Sequence, residues 1–289
     1  MSNPTTNGNE SVELLVHNQA SHGEGPVWAD GILYWVDLTA CRLHAWRSAD
    51  GTVSDFQFTE PVCAVAPLAD GRLLVAFAKR LAYVNLSDLF IDEICEVEPE
   101  KAGNRCNDGK MDPAGRFWIG TMSNGGSVKG AGALYRLDEG GRLTRVLDQL
   151  TIANGMGWSN DQKTMYFIDS PTREIWAFDF DPSDSSIRNQ RTAVRVPDGL
   201  GIPDGMEVGC DDTLWVAHWG ASCVCQWCPK SGRLLQRVET GCPHTSSCCL
   251  ADDGHLYITT SRLGLDETAL TAHPYSGGLF RHKLIKTSK

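Results

Sequence analysis

A six-fold internal repeat constrains this chain more than any other feature of its sequence. Six short apolar runs each follow a small polar turn: Asp30-Gly31-Ile32-Leu33-Tyr34-Trp35, Asp70-Gly71-Arg72-Leu73-Leu74-Val75, Ala114-Gly115-Arg116-Phe117-Trp118-Ile119, Gln162-Lys163-Thr164-Met165-Tyr166-Phe167, Asp211-Asp212-Thr213-Leu214-Trp215-Val216 and Asp253-Gly254-His255-Leu256-Tyr257-Ile258. The turn positions 31, 71, 115, 163, 212 and 254 are 40, 44, 48, 49 and 42 residues apart, so units of about 45 residues fill nearly all 289 positions. Each unit reads as several short strands, rich in Val, Ile, Tyr, Trp and Phe and bounded by Gly, Asp, Ser or Pro. Asp-Gly between two apolar runs is a hairpin signal, because the tight primed turns need positive φ. In the first unit the strands are expected near 25–28, 32–37, 42–47 and 53–58. Four strands at this period make a propeller blade, and no window carries the 3.6-residue periodicity of a helical repeat.

The expected fold is therefore an all-β six-bladed β-propeller of four-stranded antiparallel blades. The last unit offers only three strands, near 246–250, 255–261 and 277–284, whereas Val12-Glu13-Leu14-Leu15-Val16-His17 is left over at the N-terminal end. That segment is expected to complete the last blade as its outer strand and cover an exposed edge. Residues 1–11 are expected as a disordered tail and 12–289 as one propeller domain.

Composition excludes several functions. With 42% hydrophobic and 21% charged residues the chain can bury a core, and its formal charge of −10 argues against nucleic acid or an anionic membrane as partner. No run approaches the length of a membrane-spanning helix, and the first eleven residues have no apolar leader core, which gives a cytoplasmic expectation. Eleven cysteines cannot all pair within one chain and show no framework spacing, so reduced thiols are expected. Cys223, Cys225 and Cys228 lack a fourth ligand at a recognisable zinc spacing, and a strand of buried thiols is the simpler reading.

In a propeller the first strand of each blade lines the axis. Seven to nine residues upstream of the hairpin markers stand Glu24, Asn107 with Asp108, Asn154 and Asp204, each with a glycine one or two positions on. The second and sixth units offer Ala64 and the Ser246-Ser247 pair instead. Carboxylates converging on one axis repel each other unless a proton or cation lies between them. Glu24, Asn154 and Asp204 form a hard oxygen set suited to Ca2+, Mg2+ or Mn2+, and carboxylates alone do not exclude zinc. Turn chemistry accounts for any one Asp-Gly or Asn-Gly pair, but poorly for three at equivalent places.

The segments His22-Gly23-Glu24-Gly25-Pro26-Val27-Trp28, Asn104-Arg105-Cys106-Asn107-Asp108-Gly109-Lys110, Asn154-Gly155-Met156-Gly157-Trp158-Ser159, Pro203-Asp204-Gly205-Met206 and Ser246-Ser247-Cys248-Cys249 resemble, in order, the senescence marker protein, regucalcin and gluconolactonase family. The resemblance implies a six-bladed propeller with one axial divalent cation and hydrolysis of a sugar lactone. It implies that Glu24, Asn154 and Asp204 bind the metal and that Arg105 and Asn107 contact the substrate. Ca2+ is the first expectation for the cation, with Mg2+, Mn2+, Zn2+ or Fe2+ as alternatives. One departure stands out: where regucalcin-like members carry a glutamate after Gly-Thr-Met, Gly120-Thr121-Met122 continues into Ser123-Asn124-Gly125.

Lactone hydrolysis builds negative charge on the carbonyl oxygen, which a cation stabilises, and a carboxylate takes the water proton. Asp204 is the candidate base. A guanidinium and an amide at Arg105 and Asn107 suit polyol recognition. His218 and Trp219 are expected at the pocket rim, with a packed loop as the alternative, and Arg262 with loop 261–276 as pocket wall or plain surface. Trp28, Trp35, Trp118 and Trp215 read as core. A Gly-x-Ser-x-Gly nucleophile elbow is absent from the chain. The partner is expected to be a small-molecule sugar lactone; oligomeric state is left open. A regulatory calcium-binding propeller and a metal-dependent esterase or organophosphate hydrolase are the alternatives.

Overall fold

The computed structural model describes residues 12–284, so the tail expected over 1–11 lies outside the described residues. A short strand, β1 (Glu13–Val16), precedes the repeats. The first repeat forms β2 (Gly23–Ala29), β3 (Ile32–Asp37), β4 (Arg42–Arg47) and β5 (Val53–Gln57), within two residues of the expected bounds. The second forms β6 (Val62–Pro67), β7 (Leu73–Phe77), β8 (Arg80–Asn85) and β9 (Phe90–Glu96). The third forms β10 (Asn104–Met111), β11 (Phe117–Ser123), β12 (Gly132–Leu137) and β13 (Leu143–Leu150). The fourth forms β14 (Ala153–Trp158), β15 (Thr164–Asp169), β16 (Glu174–Asp181) and β17 (Ser186–Arg195). The fifth forms β18 (Ile202–Val208), β19 (Leu214–Trp219), β20 (Cys223–Cys228) and β21 (Arg233–Glu239). The last forms β22 (His244–Leu250), β23 (His255–Ser261) and β24 (Leu279–Lys283), with a one-and-a-half-turn helix, α1 (Glu267–Ala272), in the loop before β24.

The sheet topology corrects the expected six four-stranded blades. Four separate four-stranded sheets form, β2–β5, β6–β9, β10–β13 and β14–β17, while β18–β24 join β1 in a single eight-stranded sheet. The join is one pairing, Trp219 at the end of β19 with His244 at the start of β22. The two rings stack at 4.0 Å and 9°, and that contact holds the strand ends within hydrogen-bonding range. At the outer edge of this sheet β1 pairs with β24, Leu14 opposite Phe280, and Glu13 accepts from Arg281 Nε at 2.8 Å.

The innermost strands β2, β6, β10, β14, β18 and β22 pack in that order, and β22 returns to β2. The apolar core is divided among the interfaces between neighbouring repeats. Val36, Val75 and Phe77 fill the first interface, Leu81, Phe117 and Ile119 the second, and Trp118, Phe167 and Phe178 the third. Ile168, Val216 and Trp227 fill the fourth, Trp215, Ile258 and Phe280 the fifth, and Leu33, Trp35 and Tyr257 the one that closes the ring. Each large side chain buried there contributes roughly 1.5–3 kcal/mol, so the axis itself is free to carry polar groups. Trp35, Trp118 and Trp215 are buried as expected. Trp28 is only half-buried, because its indole Nε1 donates to Asp252 at 2.7 Å at the closing interface and its ring stacks on Tyr257.

All eleven cysteines are free thiols, and Cys223 and Cys225 are buried side by side on β20. No helix among the described residues is long and apolar enough to cross a membrane.

Candidate functional site

Every innermost strand that carries a candidate ligand breaks register there. Pairing shifts between Glu24 and Val27 in β2, Cys106 and Gly109 in β10, Ala153 and Met156 in β14, and Pro203 and Met206 in β18. Such bulges re-aim a side chain out of the pleat, here Glu24, Asn107 with Asp108, Asn154 and Asp204. The following glycines let neighbouring strands approach: a Cβ on Gly155 would stand 2.6 Å from the Asp204 carbonyl oxygen, and one on Gly205 2.1 Å from Ser247 Oγ.

Glu24, Asn107, Asp108 and Asn154 line a small cavity, together with Leu38 and Cys63. Asp204 joins them through its Oδ1, which accepts from Asn154 Nδ2; the same amide nitrogen donates to Ser170 Oγ at 3.1 Å. Burial, then the charges of Asp204 and Asp108, pushes the Glu24 carboxyl well above the usual range. Burial and the Asp108 charge do the same to Asp204. Asp108 is itself raised by burial. Its sequence position already placed it on the axis, but only the folded structure makes it a third carboxylate acting on the other two.

This donor set fits a hard divalent cation. The excess negative charge in the cavity is what a cation would neutralise, and Asn154, with Nδ2 engaged, has its amide oxygen left to offer one. Among the described residues no three His, Cys, Asp or Glu side chains form a metal cluster.

Asn107, in the cavity lining, is held by its neighbour Arg105. Arg105 Nη1 donates to Asn107 Oδ1 and to the Cys106 carbonyl, both at 2.7 Å, and Asn107 Nδ2 donates to the Ala153 carbonyl at 2.9 Å. The Arg105 charge lowers both Glu24 and Asp204, though less than burial raises them. His22 is buried, with Nδ1 3.0 Å from Ser261 Oγ and Nε2 4.0 Å from Glu24 Oε1. Burial and the Arg105 charge lower its pKa to about 3, which keeps it neutral.

The expected rim role of His218 is corrected by its surroundings. It is fully buried, its Nδ1–H donates to the Leu200 carbonyl at 2.8 Å, and its Nε2 accepts from Trp227 Nε1 at 3.2 Å. Both ring nitrogens are committed inside the protein. Trp219, the next residue, is half-buried and lies edge-on to His22 at 5.6 Å, which brings it beside the strand that carries Glu24. Arg262 is not directed at the cavity: its Nη1 donates to Gln19 Oε1 at 2.8 Å. Ser123, at the end of β11 where the resemblance led to an expected glutamate, accepts at its Oγ from the backbone N–H of Val128 at 3.0 Å.

An all-β ring around an oxygen-lined axial cavity defines a propeller with a candidate cation centre. Residues 22–262 match the family profile described as the SMP-30/Gluconolactonase/LRE-like region, and the chain belongs to that family. It is 34% identical over 280 residues to regucalcin from Gallus gallus, covering 93% of each chain. Among solved structures it is similar to a calcium-binding protein, regucalcin, from Agrobacterium tumefaciens, with a TM-score of 0.90, 25% identity and coverage of 95% of this chain and 94% of the other. It is also similar to a gluconolactonase from Xanthomonas campestris, with a TM-score of 0.75, 25% identity and coverage of 95% and 89%.

Proposed function

We propose that this protein is a divalent-cation-dependent lactonase that opens a sugar 1,4- or 1,5-lactone to its aldonic acid. The observation that carries this reading is the meeting of Glu24, Asn154 and Asp204 at one axial cavity, with Asn107 in its lining and Arg105 bonded to Asn107. Glu24, Asn154 and Asp204 would hold the cation, with Ca2+ first, then Mg2+ or Mn2+; Zn2+ and Fe2+ fit less well because the set has no nitrogen or sulfur donor. When bound, such a cation supplies electrophilic activation of an ester carbonyl.

The residues of the chain do the rest. Asp204 would accept the proton of the attacking water through the carboxylate oxygen that is not bonded to Asn154. Arg105 presents a fork of donors to the sugar hydroxyls, and its hydrogen bond fixes the Asn107 amide for the same task. A protein that only bound a cation would have no use for polyol donors at this place. Trp219, packed against His22 and His244 beside the strand that carries Glu24, is the nearest of the expected aromatic contacts for the sugar.

The test is hydrolysis of glucono-, galactono-, xylono- and arabinonolactones with and without chelator. Turnover that chelation abolishes supports the reading. Saturable Ca2+ binding without turnover of any lactone favours the regulatory binder instead, and turnover of aryl esters or organophosphates alone favours the broader esterase.

A further inference from the structure

Three buried polar residues occupy the same place in the three repeats that carry the axial ligands. Asp37 pairs with Gly23, Asp169 with Ala153 and His218 with Pro203, each opposite the residue immediately before Glu24, Asn154 or Asp204. Each also lies six residues beyond its hairpin marker, at 31, 163 and 212.

Their hydrogen bonds follow one plan. Asp37 accepts from the backbone N–H of Ser21 at 2.8 Å and of His22 at 2.9 Å, three and two residues before Glu24. Asp169 accepts from the N–H of Thr151 at 3.1 Å and of Ile152 at 2.8 Å, three and two residues before Asn154. His218 donates to the carbonyl of Leu200 at 2.8 Å, four residues before Asp204. All three side chains are buried, at 5%, 4% and 0% exposure. The bonded backbone groups lie just ahead of β2, β14 and β18, before the strand ladders begin, and these side chains give them partners there.

We infer that Asp37, Asp169 and His218 are equivalent positioning residues that set the register of β2, β14 and β18, and through it the placing of Glu24, Asn154 and Asp204 around the cation. This rests on the cation reading above. The equivalent places in the other repeats hold Phe77, Thr121 and Thr260, none of which takes part in this plan. Thr121 bonds the Ala133 backbone and Thr260 the Gly278 carbonyl, so each ties its own sheet to the next strand rather than to the start of the innermost one. The device is thus confined to the repeats with ligands.

The experiment is calorimetric titration of the full chain with Ca2+ and with Mn2+, beside thermal melts, for Asp37→Asn, Asp169→Asn, Asp169→Ala, His218→Leu and His218→Asn. Asp112→Asn is the control. Asp112 is equally buried and accepts from the N–H of Ala114 and Arg116 and from Trp118 Nε1, but it lies just past the far end of β10. The cation Kd should rise about 10- to 100-fold in Asp169→Ala and His218→Leu, the usual loss when a group that orients a ligand is removed. His218→Asn, whose amide can still reach the Leu200 carbonyl, should restore wild-type Kd, and Asp112→Asn should lower Tm with its Kd unchanged. Variants that lower Tm as Asp112→Asn does, with wild-type Kd, overturn the inference and leave the cation reading intact. A wild-type protein that binds neither cation overturns both. Should Asp169→Ala fail to fold, the contrast between His218→Leu and His218→Asn decides alone.

Discussion

Lys110 on β10 places its Nζ 2.9 Å from Glu207 Oε2 on β18, joining the third and fifth repeats across the axis. The same ammonium donates to the Met206 carbonyl at 3.0 Å, two residues beyond Asp204. Below the polar cavity, therefore, the ring is tied by an ion pair rather than by apolar contact. Both side chains are about a quarter exposed, so solvent screens part of the attraction.

Lys110→Met should lower unfolding stability by about 1–3 kcal/mol, the range for a lost charged hydrogen bond whose partner stays half-buried. Glu207→Gln should behave alike. In urea unfolding the double variant should be less destabilised than the sum of the singles, and strict additivity would show that the pair is not coupled.

Asp204→Ala should remove lactone turnover and cation binding together, because the proposed function gives both roles to one carboxylate. Arg105→Ala should separate them: the cation still binds, while KM rises about tenfold or more, as expected for a lost charged donor. Steady-state kinetics and cation titration on the same preparations check this, and an active Asp204→Ala protein would remove the carboxylate from the mechanism.

His218 gives a pH dependence with a definite sign. Burial lowers its pKa to about 4, so the folded protein keeps it neutral where the unfolded chain, near the ordinary value, binds a proton. The unfolded state then holds more protons between about pH 6.5 and 4, and stability falls as pH falls through that window. The drop attributable to His218 from pH 7 to 4.5 is about 2 kcal/mol. His218→Asn should show a correspondingly shallower loss; equal slopes for the two proteins would refute it.

Removal of residues 1–18 takes away β1, whose Leu14 packs in the fifth interface and whose Leu15 and Val16 pack in the closing one. Relative to removal of 1–10, which leaves β1 intact, the longer deletion should lose roughly 3 kcal/mol or more, counting part-burial of three aliphatic side chains. It also bares the β24 edge, so faster aggregation should accompany the lower Tm.

Much of this is legible in the sequence itself. The period of the apolar runs, the Asp-Gly turns and the oxygen-bearing residues ahead of them depend on local chemistry alone, which is why strand bounds in the first repeat and the axial places of Glu24, Asn154 and Asp204 could be read by counting. Even the positions of Asp37, Asp169 and His218 are periodic, six residues past each marker, although nothing in a strand of alternating residues tells which polar side chain turns inward to bond a backbone.

Tertiary structure decided what depends on distant segments meeting. Trp219 stacks on His244 and draws two repeats into one sheet, where the repeat pattern alone suggested separate blades. His218 has both nitrogens taken by Leu200 and Trp227, which hides a residue that its sequence position put at a rim. Asp108 acts on Glu24 and Asp204 only because three innermost strands bulge toward one axis. Local turn chemistry and side-chain alternation are short-range and so are written along the chain; burial, shared charge and ring stacking are properties of pairs, and the fold chooses the pairs.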